Sequence, residues 1–157
     1  MPRTSAGLLL YRVRAAGLEV LLVHPGGPFW AAKDAGAWSI PKGEVGADEG
    51  PLQAAIREVR EELGIELTGP FEPLTPVRQA GGKLVHAWAI AAEVDPAAIV
   101  SDTVELEWPP RSGRRQTFPE VDRVEWFSLD EARRRILSGQ RPLIDELVAR
   151  RTYRPIG

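Results

Sequence analysis

Short apolar runs bounded by Gly, Pro and polar residues divide the chain into predicted strands. Residues 6–13 and 19–23 are rich in Leu and Val and flank a turn at Ala16-Gly17, which is typical of a β-hairpin. Two polar or Pro-rich stretches, 25–36 and 95–115, are predicted to be loops. Further strands are predicted at residues 38–40, 65–67, 74–79, 83–94 and 124–128.

Helical spacing of apolar residues appears at three places. Helices are predicted from about residue 48 to 63, from 129 to 137 and from 142 to 151. The second helix has Ser128 at its N-cap position and Glu131 three residues later, the pattern of a capping box. Strands mixed with a few helices predict an α+β fold, built as an α/β/α sandwich. No repeat or long linker divides the sequence, so residues 1–157 are expected to form one domain.

The first predicted helix has clear start and stop signals. Asp48 is the predicted N-cap, Pro51 is tolerated in the first turn, and Gly64 suits the left-handed conformation that ends a helix. At about 100° per residue, its apolar positions fall on one stripe, which predicts the face that packs on the core. These positions are Leu52, Ala55, Ile56, Val59 and Leu63.

Composition and charge narrow the possible partners. The formal net charge is −2 and there is no long basic run, so sequence-independent binding to duplex nucleic acid is not expected. The chain has no cysteine, which excludes disulfides and thiolate metal sites. No apolar run approaches the length of a membrane span, and the N-terminus does not read as a signal peptide. A cytoplasmic protein, monomeric or homodimeric and without a membrane partner, is therefore expected.

Acidic residues cluster on one flank of the first predicted helix. Glu58, Glu61 and Glu62 share an arc of about 100°. Like charges at this spacing repel by a few tenths of a kcal/mol per pair, which Arg57 and Arg60 partly offset. A solvated charged face is the alternative interpretation. The clustering, and the loop that enters the helix, favour a site for a hard cation such as Mg²⁺, with Mn²⁺ as a possible substitute.

The same region resembles the Nudix box, a Gly-x5-Glu-x7-Arg-Glu-aliphatic-x-Glu-Glu-x-Gly-aliphatic pattern. Every specified slot is filled: Gly43, Glu49, Arg57, Glu58, Val59, Glu61, Glu62, Gly64 and Ile65. Nine matches across 23 residues make a chance resemblance very unlikely. The resemblance implies a mixed central sheet between helices. It also implies hydrolysis of a nucleoside diphosphate linked to another group.

The resemblance also implies roles for the box residues. Glu58, Glu61 and Glu62 would bind Mg²⁺, Arg57 would orient these carboxylates, and Glu49 would tie the preceding loop to the helix. The backbone carbonyl of Lys42 would be a further metal ligand. The general base is left open among Glu58, Glu61, Glu62 and Glu120.

Glu120 is the candidate for one more catalytic and metal-binding carboxylate outside the box. Many members of the resembled family take such a residue from the loop before a strand, and Glu120 lies six residues before Trp126. Asp122 and Glu125 are the competing candidates, and surface positions for all three are the alternative. His24 and His86 are interpreted as structural, so a zinc site is not expected.

Candidate substrate-binding residues lie in three segments. The Lys42 side chain would face a phosphate, or else be a solvated loop cation. Arg111, Arg114 and Arg115 would grip distal phosphates if their loop folds beside Glu120, and otherwise form a mobile solvated loop. Trp30 would stack on a base, with packing as the alternative.

The sequence narrows the substrate only to a small-molecule nucleotide. The Trp-x-x-Pro-Lys-Gly segment at residues 38–43 resembles that of diadenosine polyphosphate hydrolases and of nucleoside triphosphate pyrophosphohydrolases. A dinucleoside polyphosphate or a nucleoside triphosphate is therefore expected. The alternative is a Nudix-fold binding or regulatory module without turnover, although the box is complete. An mRNA-decapping relative is disfavoured because the charge balance offers no extra basic surface.

Overall fold

The computed structural model describes residues 4–152, which form nine strands and three α-helices. The helices are α1 (Pro51–Leu63), α2 (Leu129–Arg135) and α3 (Arg141–Thr152). The first strands are β1 (Thr4–Arg14), β2 (Gly17–Pro25), β3 (Lys42–Glu44), β4 (Glu72–Pro73) and β5 (Val77–Arg78). The remaining strands are β6 (Leu84–Ala91), β7 (Thr103–Glu107), β8 (Arg115–Pro119) and β9 (Val121–Ser128). Short 3₁₀ turns occupy Ala80–Gly82, Pro96–Ala98 and Ser138–Gln140.

Strand β1 lies at the centre of a mixed sheet. It pairs in parallel with β6 on one side and antiparallel with β2 and β3 on the other. β9 extends the sheet beyond β2, and β4 and β5 pair with β6. The continuous apolar run of β1 is explained by this position, because a central strand is covered on both faces. Residues 5–11 of β1 are all buried.

Helices cover both faces of this sheet. On one face Leu9, Val20 and Leu22 belong to the same core as Ala132 of α2 and Leu143 of α3. On the other face a second core joins the alternate strand residues to α1: Leu8, Leu10, Leu21, Val23, Ala54, Ala55, Val59 and Leu63. The alternation of side chains along each strand thus supplies two cores. The predicted α/β/α sandwich with a mixed central sheet is confirmed.

Helix α1 differs from its prediction at the N-terminus. The N-cap is Gly50 rather than Asp48, and its N–H donates to Oε1 of Gln53 at 3.1 Å. The core face also shifts, since Ala54 is fully buried whereas Leu52 and Ile56 are only partly buried. The left-handed end is confirmed: Gly64 has a φ of 70°.

Two strand predictions and one loop prediction were wrong. Residues 65–67 form no strand; Ile65 and Leu67 pack against the core beside α1 without strand pairing. Residues 38–40 make only isolated bridges rather than a strand. The predicted loop at 95–115 contains β7, which pairs antiparallel with β8 to form a separate hairpin. Every residue of this hairpin is exposed or only partly buried, so apolar alternation could not indicate it.

Candidate active site

Arg57 holds the loop before α1 against the helix. Its Nε and Nη2 donate to the two oxygens of Glu49 at 3.0 and 2.6 Å, and Nη2 also donates to the Glu44 carbonyl at 3.1 Å. Glu49 accepts a further bond from the Gly46 N–H at 2.8 Å. The fork from Arg57, followed by the Gly46 bond, lowers the pKa of Glu49 to about 2. Glu49 is thus held by Arg57 and by the Gly46 N–H, and the helix begins at Pro51, two residues beyond it.

The same guanidinium also orients two carboxylates of α1. Nη1 of Arg57 donates to Glu58 and to Glu61, in both cases at 3.0 Å. Glu58 is pressed against Gly43 of β3, where an added Cβ would overlap the Glu58 carboxylate. Burial raises the pKa of Glu58, although Arg57 opposes this shift. The glycine at position 43 is therefore required for close approach of the strand to this carboxylate.

Glu62 is the most perturbed carboxylate of the cluster. Its Oε2 is buried without a hydrogen-bond partner. Burial, and then the negative charges of Glu58 and Glu120, raise the pKa of Glu62 to about 8, against the opposing effect of Lys42. A buried carboxylate oxygen without a partner is costly unless a cation or a proton satisfies it.

Glu120 joins the cluster from the other end of the fold. It follows β8, and its backbone N–H donates to the Asp102 carbonyl at 2.8 Å while its carbonyl accepts from Gly26 at 2.9 Å. Burial, followed by the charges of Glu58 and Asp102, raises its pKa. Asp102 in turn donates its backbone N–H to the Glu61 carbonyl at 3.2 Å, which ties this segment to α1.

The two competitors of Glu120 lie elsewhere. Asp122 is engaged by the buried His24, whose Nδ1 lies 2.7 Å from Asp122 Oδ1. Glu125 is an exposed residue of β9. The Nε2 of His24 contacts the Lys33 carbonyl at 2.6 Å, so this histidine joins β2 to the following loop, which supports its structural interpretation.

The donor atoms of this carboxylate cluster are of the type that binds a hard divalent cation. All the donors are oxygens, which suits Mg²⁺ or Mn²⁺ and does not suit zinc. Within residues 4–152, no three acidic or histidine side chains already surround a common point at ligand distances. Glu58 and Glu61 each share an oxygen with Arg57 instead. Oε2 of Glu62 is a buried carboxylate oxygen without a hydrogen-bond partner, so it is open to a cation or to a proton.

A cavity of about 350 Å³ opens directly beside these carboxylates. Glu62, Glu120 and Lys42 line one part of it. Its other lining residues are largely apolar: Val23, Pro25, Trp30, Ala37, Ser39, Ile40, Gln79, Val121 and Leu137. Burial, and then the nearby Lys83, lower the pKa of the Lys42 ammonium. The cavity is therefore lined by two carboxylates and an ammonium as well as by apolar residues that include a tryptophan.

The structure does not bring the three loop arginines to this cavity. Arg115 lies at the outer end of the β7–β8 hairpin, where it pairs with Glu107 in register and forms an ion pair with Glu105. Arg111 and Arg114 lie in the turn beyond it. The segment expected to fold as a loop beside Glu120 is a hairpin, and only its base reaches the site. Five residues of strand, about 16 Å, separate Arg115 from Glu120.

Gln79 is a lining residue that the sequence analysis did not identify. It follows the short strand β5 and precedes a Gly-Gly turn, a context that is typical of any surface loop. Only the contact with the 3₁₀ turn at Ser138–Gln140, about sixty residues later in the chain, brings it to the cavity.

A family model described as the NUDIX domain matches residues 1–147. The chain belongs to this family. One relative is the CTP pyrophosphohydrolase of Escherichia coli, 41% identical over 58 residues, which are 36% of this chain and 43% of the relative. Another is the asymmetrical bis(5'-nucleosyl)-tetraphosphatase of Caenorhabditis elegans, 41% identical over 61 residues, which are 39% of this chain and 40% of the relative. The chain thus matches less than half the length of either Nudix relative.

Solved Nudix structures share the fold over nearly the whole chain. The Ap4A hydrolase of C. elegans in a binary complex superposes with a TM-score of 0.66 and covers 94% of this chain and 98% of its own. The sequence identity is 23%, so this similarity concerns the fold alone. No helix among residues 4–152 is both long enough and apolar enough to cross a bilayer.

Proposed function

We propose that this protein is a Mg²⁺-dependent pyrophosphohydrolase that cleaves a phosphoric anhydride bond in a nucleotide. The favoured substrates are nucleoside triphosphates and dinucleoside polyphosphates. The buried, unpartnered Oε2 of Glu62, beside Glu58 and Glu120 at the cavity, carries this proposal. The names of the two curated relatives support it, because one acts on CTP and the other on a dinucleoside tetraphosphate.

The match to the Nudix box supports a role for each residue. Glu58, Glu61, Glu62 and Glu120, together with the Lys42 carbonyl, would hold the cation. Bound Mg²⁺ would neutralise phosphate charge and lower the pKa of a coordinated water. Arg57 keeps Glu58 and Glu61 on one side of the helix through its Nη1 bonds. One of the four carboxylates would accept the proton of the attacking water.

The cavity accommodates the rest of the nucleotide. Its volume of about 350 Å³ lies within the usual range for small-ligand sites. Trp30 would stack on the base, and the Lys42 ammonium would contact a phosphate beside the carboxylates. The proposal includes a cytoplasmic location and free nucleotides as substrates. It also includes a monomeric or homodimeric state.

A hydrolysis screen tests the proposal. Purified protein would be assayed with Mg²⁺ against nucleoside triphosphates, diadenosine polyphosphates, ADP-ribose, NADH and nucleotide sugars. Glu62→Gln should lose most of the activity, because the amide keeps the shape but removes the anionic ligand. Glu66→Gln is the matched control, since Glu66 is exposed and lies just beyond α1. Turnover in Glu62→Gln equal to that of the control would contradict the metal assignment.

Binding without turnover is the result that would favour the alternative. If the protein bound nucleotides tightly but hydrolysed none of the panel in Mg²⁺ or Mn²⁺, the non-catalytic Nudix-fold module would replace the enzyme. One observation favours this second candidate. Arg57 donates hydrogen bonds to Glu58 and Glu61, and the acidic side chains of residues 4–152 are not already arranged as a set of cation ligands.

A further inference from the structure

His24 is a fully buried histidine of β2 whose two ring nitrogens both contact oxygen acceptors. Its Nδ1 lies 2.7 Å from Asp122 Oδ1, and its Nε2 lies 2.6 Å from the carbonyl oxygen of Lys33. The ring also packs edge-on against Trp38, with the ring centroids 5.2 Å apart. Because His24 is 0% exposed, these two oxygens, rather than water, satisfy its ring nitrogens.

These two contacts require a hydrogen on each ring nitrogen of His24. A carboxylate oxygen and a carbonyl oxygen can only accept hydrogen bonds. A neutral imidazole has one N–H and one bare nitrogen, and the bare nitrogen would direct its lone pair at an oxygen lone pair. The arrangement in the structure is therefore that of the doubly protonated ring, with Asp122 as its counter-charge.

The other charged groups around this histidine have partners of their own. On β9, Nε of Arg123 lies 3.9 Å from Asp122 Oδ1, and the Arg123 guanidinium stands 5.1 Å from the Trp38 ring. In the loop before Trp38, Asp34 accepts from Trp38 Nε1 at 2.7 Å and from Arg135 of α2 at 2.8 Å. Among residues 4–152, Asp122 is thus the carboxylate that contacts the ring.

The Lys33 carbonyl is the point at which His24 holds the loop that carries Trp30. The backbone N–H of Lys33 donates to the Trp30 carbonyl at 2.9 Å, and the Trp30 N–H donates to the Gly27 carbonyl at 3.3 Å. The Lys33 ammonium also lies 5.1 Å from the centre of the Trp30 ring. Because Trp30 lines the cavity, a displacement of Lys33 would change the cavity wall.

We propose that His24 is a pH-sensitive positioning residue that holds Trp30 in the cavity wall while its ring is doubly protonated and releases the loop when one proton is lost. This inference rests on the proposed function, because it adds a form of regulation to the same site. After deprotonation one N–H remains, and it stays with the Asp122 carboxylate because that bond is charge-assisted. The bare Nε2 then repels the Lys33 carbonyl. This carbonyl can turn to water, since residues 31–36 are exposed.

NMR spectroscopy of the metal-free Glu62→Gln protein tests the inference without turnover. This background removes the ionisation of Glu62, which would otherwise change the charge in the same cavity. The chain has two histidines, so a further His86→Gln substitution leaves the His24 ring nitrogens to report protonation from about pH 5 to about pH 9. The indole N–H signal of Trp30 is assigned by its absence in Trp30→Phe. We expect this signal to shift with the same midpoint as the His24 ring.

Asp122→Asn distinguishes a protonation switch from a merely structural histidine. The new amide can donate its NH₂ to Nδ1, so a neutral ring keeps its Nε2–H and its bond to the Lys33 carbonyl at every pH. The pH-dependent shift of the Trp30 signal should therefore shrink about fivefold or more in this variant. Glu125→Gln, which removes a charge from an exposed position of the same strand, is the control and should leave the shift unchanged.

Four results would overturn the inference. The His24 ring could titrate while the Trp30 signal stays in place, or the Trp30 shift could survive in Asp122→Asn. The ring could also be neutral, or doubly protonated, throughout the range.

Enzyme kinetics add a second readout where the hydrolysis screen finds turnover. Above the His24 midpoint, the KM of the wild type should rise about fivefold more than that of Asp122→Asn, with kcat little changed in either. An equal KM rise in both proteins would contradict the regulatory role. Absent hydrolysis with an intact response of the Trp30 signal contradicts only the proposed function.

Discussion

A single buried oxygen, Oε2 of Glu62, links the folding of this protein to its proposed chemistry. The pKa of Glu62 is raised to about 8, which means that the fold favours the protonated form in the absence of a cation. The usual glutamate value is 4.5. Stability that depends on the neutral form is fully present below about pH 4.5, and it is lost as the pH rises through about 8.

The metal-free protein should therefore lose stability from about pH 4.5 to about pH 8 and change little from there to pH 9, and Glu62→Gln should not show this loss. At pH 9 the variant is expected to exceed the wild type by on the order of 2 kcal/mol, or about 6 °C in Tm. Thermal unfolding in EDTA across this pH range measures the difference. Glu66→Gln should follow the wild type, and a Glu62→Gln curve parallel to both would show that Glu62 is not buried as described.

The box residues could be predicted from the sequence because they lie on one strand, one loop and one helix. Their mutual positions follow from helical geometry and from a single arginine fork. The N-cap could not be predicted in this way. Glu49 looks like part of a helix start, but Arg57 and the Gly46 N–H engage its carboxylate. A tertiary ion pair thus overrides the local capping preference.

At the scale of elements, the contact between β3 and α1 sets the position of the carboxylates. Gly43 is the closest point of this contact, because an added Cβ would overlap the Glu58 side chain. The obstacle is the far end of a flexible side chain rather than backbone, so the helix itself need not move. A methyl group at this position should displace the carboxylate and leave the fold intact.

Gly43→Ala is accordingly expected to reduce kcat about a hundredfold while lowering Tm by only about 3 °C. Steady-state kinetics on the best nucleotide and thermal unfolding measure the two effects. Gly50→Ala is the control, since its added Cβ meets no atom closer than 3.8 Å and its φ of −76° suits alanine. Full activity in Gly43→Ala would show that Glu58 does not need its present position.

The hairpin β7–β8 shows where element prediction from pattern fails. Its residues are exposed or only partly buried, so no apolar face distinguishes it from a polar loop. The pairing is visible only in the register from Thr103↔Pro119 to Glu107↔Arg115. Ile65 and Leu67 show the opposite failure, since their apolar side chains pack on the core without any strand partner.

At the scale of the whole molecule, the cavity is assembled from segments that are far apart in the sequence. Trp30, Gln79, Glu120 and Leu137 belong to four different connections around the sheet. The hydrogen bond between Ile40 and Gln140, for example, joins residues that are 100 positions apart in the sequence. The contiguous segment at residues 42–65 supplies Lys42 and Glu62, whereas tertiary contacts that this segment does not encode bring the other lining residues to the cavity.

The position of the hairpin arginines predicts that they contact long substrates and not short ones. Arg111 and Arg114 lie at the outer end of the hairpin, beyond the residues that line the cavity. A nucleoside triphosphate bound between Trp30 and Glu120 would not extend that far. A bound dinucleoside polyphosphate would have further phosphates and a second nucleoside beyond the carboxylates. These additional groups would lie outside the cavity. Only such a long substrate could contact the guanidinium groups.

Replacing both Arg111 and Arg114 by alanine should therefore raise the KM for diadenosine tetraphosphate about fivefold and change kcat little. The same double variant should leave the KM for nucleoside triphosphates within twofold of the wild type. Arg14→Ala, which removes an exposed arginine paired with Glu93, controls for loss of surface charge. An equal KM increase for both substrates would indicate a general electrostatic effect, because a contact with distal phosphates can act only on the longer molecule.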